Sequence, residues 1–261
     1  DAYDRPYLPG SSLKGAFRTA LLSHALAQKS GALDLDRLNT NRKWAAQPLE
    51  RALLGRDPNH DLLRALHVAD SDPLDPNRVL SINNVQVLVG GKVGSPIEVE
   101  ALQPDVQIRS HVKVDLSLFS SQAVPQLHLG DRRAWLEDVM AICRERAAPM
   151  LEAERRWFGA QASTRSLAGF FGELTAVVAN MPENSCLLQI GWGGGWHNKT
   201  VGAALTDRQR EDLIGRYRLA RGRRERGDPF PKSRRVVVNA QGRPAAPLGW
   251  VLIEMKPEDN A

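Results

Sequence analysis

Three clusters of residues in this 261-residue chain have the types and spacing that handle phosphates and bases. The first is Leu8-Pro9-Gly10-Ser11-Ser12-Leu13-Lys14-Gly15-Ala16-Phe17-Arg18. A Pro-Gly turn leading into Ser11 as N-cap would open a helix whose first N–H groups lack intrahelical partners and carry the positive end of its dipole. Ser12 adds a second hydroxyl, and Lys14 and Arg18, one turn apart, place two cations on one side, an arrangement suited to a phosphate. Gly15 costs a helix about 1 kcal/mol relative to Ala and leaves room for a partner to approach. An ordinary capped helix with two solvated cations has the same signature.

The second cluster is Gly191-Trp192-Gly193-Gly194-Gly195-Trp196-His197-Asn198-Lys199-Thr200. Glycines let a backbone run close to a phosphodiester, Trp192 and Trp196 can stack on bases, and His197, Lys199 and Thr200 supply donors. The alternative is a flexible loop whose two tryptophans complete the core. A dinucleotide fingerprint would need glycine at Trp196 and a Walker A loop would need it at Asn198, so nucleotide hydrolysis is not indicated. The third cluster is the tract Arg216 to Arg235, with Arg221, Arg223, Arg224, Arg226, Lys232, Arg234 and Arg235 interleaved by Tyr217 and Phe230. Gly222, Gly227, Pro229 and Pro231 suit a mobile loop that orders on RNA, although such a run also describes plain solvated surface.

The distribution of charge supports a polyanionic partner. The chain has a net charge of +5, yet the stretch from Arg208 to Arg235 alone holds eleven basic residues against four acidic ones. Nucleic acid fits better than membrane, because no amphipathic apolar face accompanies the basic residues. Enzyme constellations are thin. His24, His60, His67, His111, His128 and His197 show no metal-ligand spacing, and no GxSxG elbow is present. Asp70, Asp72 and Asp75, separated by Pro73, fit turn caps. No catalytic residue, metal or cofactor is assigned. Cys143 and Cys186 lack a CxxC partner, which excludes a disulfide framework and fits a reducing cytoplasm. No apolar run reaches membrane-spanning length. Composition, 42% hydrophobic and 25% charged, is that of a folded chain.

The elements that must position these clusters are legible in outline. Leu13, Phe17, Leu21 and Ala25 predict a helix from Ser11 to about Lys29, with short helices between Leu35 and Leu66. Strands are expected at Arg64–Ala69, Val79–Val89, Pro96–Leu102, Val106–Phe119, Ser185–Ile190, Arg234–Val238 and Leu248–Met255. Helical spacing returns from Asp131 to Ala147, with Pro149 expected to kink the helix or start another, and Thr206 reads as the N-cap of a further helix. Mixed strands and helices without βαβ alternation predict an α+β fold.

Taken together, Pro9-Gly10-Ser11-Ser12-Leu13-Lys14-Gly15, Ile190 through Thr200, Phe230-Pro231-Lys232-Ser233-Arg234-Arg235 and Pro247-Leu248-Gly249-Trp250-Val251 resemble the RAMP superfamily of CRISPR-associated proteins. Within it, they resemble the family of the fifth subunit of type III-A Csm effector complexes. The resemblance implies one RAMP domain over residues 1–261 with an RNA-recognition-motif-like, ferredoxin-type core. Its parts would be the Pro-Gly-Ser-Ser helix (1–30), a helical segment (31–66), central strands (67–120), a helical insertion (131–180) and the glycine loop, basic segment and closing strands (185–256). It implies a non-catalytic cytoplasmic subunit that grips crRNA near its 3′ end, caps the backbone and supports crRNA maturation. Its neighbours would be a RAMP backbone subunit and the small helical subunit, with target RNA in the assembled complex and host nucleases as further partners. The RNA-binding set would comprise Ser11, Ser12, Lys14, Arg18, Gly191, Trp192, Gly193, Gly194, Gly195, Trp196, His197, Lys199, Thr200, Arg223, Arg224, Lys232, Arg234 and Arg235. The family's first strand is expected upstream of Asp1. Related backbone subunits use an aspartate near the Pro-Gly-Ser-Ser motif to cleave RNA, but neither Asp1 nor Asp4 aligns with it. The alternatives are a RAMP-type repeat endoribonuclease, with His24 or His197 as general base, and an adaptor whose basic patch recruits protein.

Overall fold

A computed structural model describes residues 3–28, 34–89, 92–220 and 222–257. Helix α1, Gly10–Gln28, buries Leu13, Phe17, Ala20, Leu21 and Ala25 on one stripe, as the apolar spacing requires. It starts one residue before Ser11. The Gly10 N–H donates to Asp70 Oδ1 at 2.7 Å, so a side chain 60 residues away caps the helix and Ser11 does not. Between α1 and β1 (Leu66–Val68) the chain forms helix α2, Gln47–Leu54, and short 3-10 turns.

After a one-turn helix α3, Pro76–Val79, the long strand β2, Leu80–Val89, organises the largest sheet. Strands β3 (Lys92–Val93) and β4 (Ile97–Leu102) return antiparallel along one side of it. Strand β5, Val112–Val114, pairs with β1 in a separate ladder. The strand expected over Val106–Phe119 is therefore short. Asp115 ends it by accepting from the Ser117 N–H and hydroxyl, which turns the chain into a 3-10 helix at Leu116–Phe119.

Helices α4 (Val124–Leu127) and α5 (Arg133–Glu137) lead into α6, Val139–Gly159, and α7, Arg165–Asn180, packs along α6. Helix α6 passes through Pro149 as one helix, not two. Pro149 and Glu145, whose carbonyl loses its usual donor, both lie on the exposed side, where the missing bond does not leave a polar group in the core. Strand β6, Ser185–Gln189, pairs antiparallel with β9, Trp250–Glu254. Between them come α8 (Gly195–Lys199), α9 (Asp207–Tyr217), β7 (Ser233–Val238) and β8 (Pro244–Pro247). Strand β7 pairs with the end of β2, and β8 adds to β7. Two prolines hide β8 in the sequence, and they are tolerated at a sheet edge where their missing N–H groups are not needed.

Two apolar clusters hold this α+β arrangement together. One joins α1, the end of α2, β1 and Val139–Cys143 of α6; the other joins Ala147–Phe158 of α6 to α7, β2 and β7. Strand β6 is shared between them, with Cys186 and Leu188 facing the first and Leu187 the second, as a two-residue period dictates. Cys143 and Cys186 are free thiols buried in the first cluster, and the neighbouring Cys186 thiol together with burial raises the Cys143 pKa. Among the described residues, no helix is long and apolar enough to cross a membrane.

Candidate nucleic-acid interface

The glycine motif is not a flexible loop. It folds as a 3-10 turn at Trp192–Gly194 followed by α8, and its glycines serve that compact path. Gly191 and Gly195 sit at φ 82° and 65°, in the left-handed region, and a Cβ on Gly193 would run into Leu248. The Leu-Gly-Trp element is pinned beside it: Gln189 donates to the Leu248 carbonyl at 2.8 Å, and the Ile190 N–H to the Gly249 carbonyl at 2.7 Å. The far end is held by Arg146, a buried arginine of α6 whose Nη2 donates to the carbonyls of His197, Asn198 and Thr200. Sequence reasoning missed Arg146. The signal was a cation at an apolar position, between Ile142 and Met150 on the buried face of α6.

The two tryptophans divide the alternatives that the sequence left open. Trp196 is half-buried, edge-on to Phe230 at 4.9 Å, packed over Gly202 and in the wall of a cleft. Trp192 turns outward and is 48% exposed, with the Arg235 guanidinium 4.5 Å above its ring. His197 lies beside Trp196 with its Nδ1 buried and unpartnered. Its pKa falls from 6.5 to about 4, first through burial and then through the charges of Arg234, Arg210 and Arg146. Thr200 caps the following turn, accepting from the Gly202 N–H and donating to the Trp196 carbonyl. Lys199 is exposed.

A cleft of about 570 Å³ brings the glycine motif and the end of the basic tract together. Gly193, Gly194, Gly195 and His197 form one side, and Phe230 to Arg235 the other, with Phe158 and Phe171 at its apolar floor. Ser11, Ser12 and Lys14 are not in its wall; the two serines are exposed on the first turn of α1, which packs against α8 from another side.

Much of the basic tract is paired within the protein, contrary to the free polycationic loop expected from the sequence. Arg224, its side chain 7% exposed, makes a two-pronged ion pair with Glu211 at 2.7 and 2.5 Å. Arg234 pairs with Glu154 at 2.6 Å and lies over Trp157. Lys232 reaches Asp228 at 3.1 Å and the Arg223 carbonyl at 2.9 Å. Phe230 is anchored on Trp196. Arg223 remains outward, 93% exposed with Glu225 at 3.7 Å, and Arg221 lies outside the described residues. The same sorting applies to the first motif. Arg18 is held by Asp61 at 2.7 Å and Glu50 at 3.0 Å; desolvation opposes its charge, but the two carboxylates raise its pKa on balance. Among the described residues Lys14 has no such pair, and desolvation lowers its pKa while Asp61 pulls the other way.

Among the described residues, no group of three or more His, Cys, Asp or Glu is placed to hold a metal ion. His24, the other histidine considered as a base, is edge-on to Trp135 and 3.5 Å from Glu145 on the first apolar cluster, away from the cleft.

No curated protein matches the chain. Several solved structures share its fold, among them two chains aligned over 96% of its length. One is a chain in a cryo-EM structure of a Csm-crRNA-target RNA ternary complex of a type III-A CRISPR-Cas system, with 23% identity, a TM-score of 0.69, and 96% of this chain aligned to 73% of that one. The other is the crystal structure of T. onnurineus Csm5, with 24% identity, a TM-score of 0.63, and 96% of this chain aligned to 71% of that one. The model of the RAMP superfamily matches residues 1–198, from the Pro-Gly-Ser-Ser motif into the glycine motif, and the chain belongs to that superfamily.

Proposed function

We propose that the chain is a single-domain, non-catalytic crRNA-binding subunit of a type III-A CRISPR effector complex, capping its backbone near the crRNA 3′ end in the cytoplasm. The observation that carries this reading is the rim of the cleft, where Arg235 from the cleft wall lies over the exposed Trp192 beside a glycine-built turn. An aromatic face with an adjacent guanidinium suits an unstacked base and its phosphate. Lys14, Ser11, Ser12, Lys199, Arg223 and Arg235 are the residues assigned to RNA. Arg18, Arg224 and Arg234 are assigned to the scaffold through their carboxylate partners, and Trp196 and Thr200 through packing and capping. Neighbouring backbone and small helical subunits, target RNA and trimming nucleases are its expected partners, by likeness to the fold of the Csm-crRNA-target RNA complex chain.

The test is co-purification of the chain with its complex, followed by end-mapping of the bound RNA, and direct binding of single-stranded RNA at two salt concentrations. The reading expects protected crRNA 3′ regions and affinity that falls with salt, because displaced counterions drive phosphate binding. Duplex DNA competing as well as single-stranded RNA would remove its support.

A second reading, a RAMP-type repeat endoribonuclease, draws on His197, whose depressed pKa leaves a neutral imidazole at pH 7 in the cleft. It requires metal-independent cleavage of repeat RNA, leaving a 2′,3′-cyclic phosphate, that disappears in His197→Ala. Intact repeat RNA after incubation with the wild-type chain excludes it.

A further inference from the structure

Away from the cleft, a pocket of about 470 Å³ opens between the end of α2, the loop that follows it, the end of α4 and the start of α5. Its wall is cationic and aromatic, with Arg51, Arg56, His60, His128, Arg132 and Trp135. The rings of His60 and His128 face each other, 22° from parallel, with centroids 6.5 Å apart. Carbon atoms in contact lie roughly 3.5 Å apart, so a flat ring inserted between two others needs a gap of about 7 Å. The two imidazoles stand at most 6.5 Å apart, so they must part slightly to admit a ring.

Both walls are held in place. His60 Nδ1 lies 2.7 Å from Asp57 Oδ1 and its Nε2 lies 2.8 Å from Arg56 Nη2. A guanidinium only donates, so Nε2 accepts and the ring proton sits on Nδ1 facing the carboxylate, which fixes the plane of the ring. The loop closes at Gly55, φ 142°, where a Cβ would run into the His60 carbonyl. On the other wall His128 ends α4 in the left-handed conformation, φ 56°. Arg132 joins the walls: Nη2 donates to the His128 carbonyl at 2.5 Å and Nη1 to the Leu53 carbonyl at 3.0 Å. Arg51 and Arg56 are exposed at the rim, Arg56 with its Nε 3.4 Å from Asp57 Oδ2 and its Nη1 in neither that contact nor the one to His60.

We infer that this pocket binds one nucleotide, its base between the His60 and His128 rings and its phosphate at Arg51 and Arg56. Parallel planar walls select a flat ring, and two rim guanidiniums select an anion next to it. A free mononucleotide and an unstacked nucleotide within an RNA strand share this chemistry. The inference does not depend on the cleft.

The experiment is calorimetric titration of the full chain with AMP, and separately with single-stranded RNA, in the wild type and three variants. His128→Asn removes the ring but tolerates the left-handed backbone; His128→Phe keeps a flat face; Trp192→Ala alters only the cleft. The expected result is saturable AMP binding, weakened about tenfold by His128→Asn, the size of one lost base-stacking contact. His128→Phe should restore it. If AMP does not bind but RNA affinity follows the same two His128 variants, the pocket takes its nucleotide from a strand. Equal competition by inorganic phosphate and AMP, or AMP and RNA affinities both indifferent to His128→Asn, would overturn the proposal. An RNA affinity that responds to His128→Asn but not to Trp192→Ala would instead defeat the cleft reading.

Discussion

The Nη2 atom of Arg146 lies 2.8 Å from the carbonyl oxygen of His197, joining the middle of a buried helix to the end of the glycine motif. The same nitrogen reaches the carbonyls of Asn198 at 2.9 Å and Thr200 at 3.3 Å, at a helix end where the Thr200 hydroxyl already donates to the Trp196 carbonyl. Burial lowers the Arg146 pKa, and these carbonyls compensate the buried ion at Nη2 while its Nε is buried without a hydrogen-bond partner. Arg146→Met exchanges three charge-assisted bonds for apolar packing and leaves the carbonyls unpaired. It should cost roughly 3 kcal/mol, a fall in Tm of about 9 °C for a chain of this size, and should weaken RNA binding by displacing Trp192. Thermal melting and RNA titration of the variant check both; unchanged melting would show that the carbonyls find water instead.

His197 gives a pH signature. Its pKa is about 4 in the folded chain against 6.5 when unfolded, so between those values the unfolded state binds the extra proton. Stability from this residue is complete above pH 6.5 and is lost as pH falls toward 4, by on the order of 3 kcal/mol across the window. Urea midpoints measured from pH 7.5 to 4.5 should fall in the wild type and flatten in His197→Gln. Parallel profiles for the two proteins would contradict it.

Lys14 and Arg18 occupy the same helical side but should behave oppositely. Arg18→Ala leaves Asp61, partly buried, and Glu50 without their cation, and should destabilise by about 2 kcal/mol with little specific effect on RNA. Lys14→Ala should change Tm by less than about 2 °C and weaken RNA binding severalfold, because a single phosphate contact is lost. Melting curves and a salt series on both variants decide; Arg18→Ala with an unchanged Tm would return that residue to the RNA-binding set.

The tryptophans make a matching pair. Trp192→Ala should lower single-stranded RNA affinity about tenfold at nearly constant Tm, since its ring is half exposed and lies under Arg235. Trp196→Ala removes the contact with Phe230 and opens the space over Gly202, at a cost of about 3 kcal/mol. Melting and fluorescence-anisotropy titrations separate the two; a Trp192→Ala protein that binds RNA normally would exclude this face from the interface.

Local chemistry carried much of the fold into the sequence. Helix α1 follows from Leu13, Phe17, Leu21 and Ala25, and Thr206 does open α9 with a reciprocal bond to Gln209, because spacing and capping act within one or two turns. Strands β2, β4, β6 and β7 lie close to their expected bounds for the same reason. The three clusters with phosphate and base chemistry were legible as residue types. Which of their members face outward was not. Arg18 finds Asp61 43 residues away, Arg234 finds Glu154 80 residues away, and Trp196 rather than Trp192 meets Phe230. An arginine that neutralises a distant carboxylate and one that stays open to a phosphate look the same in sequence. Only the packing of α2, α6 and the basic segment, set by contacts far apart along the chain, decides how much of each charge is already satisfied.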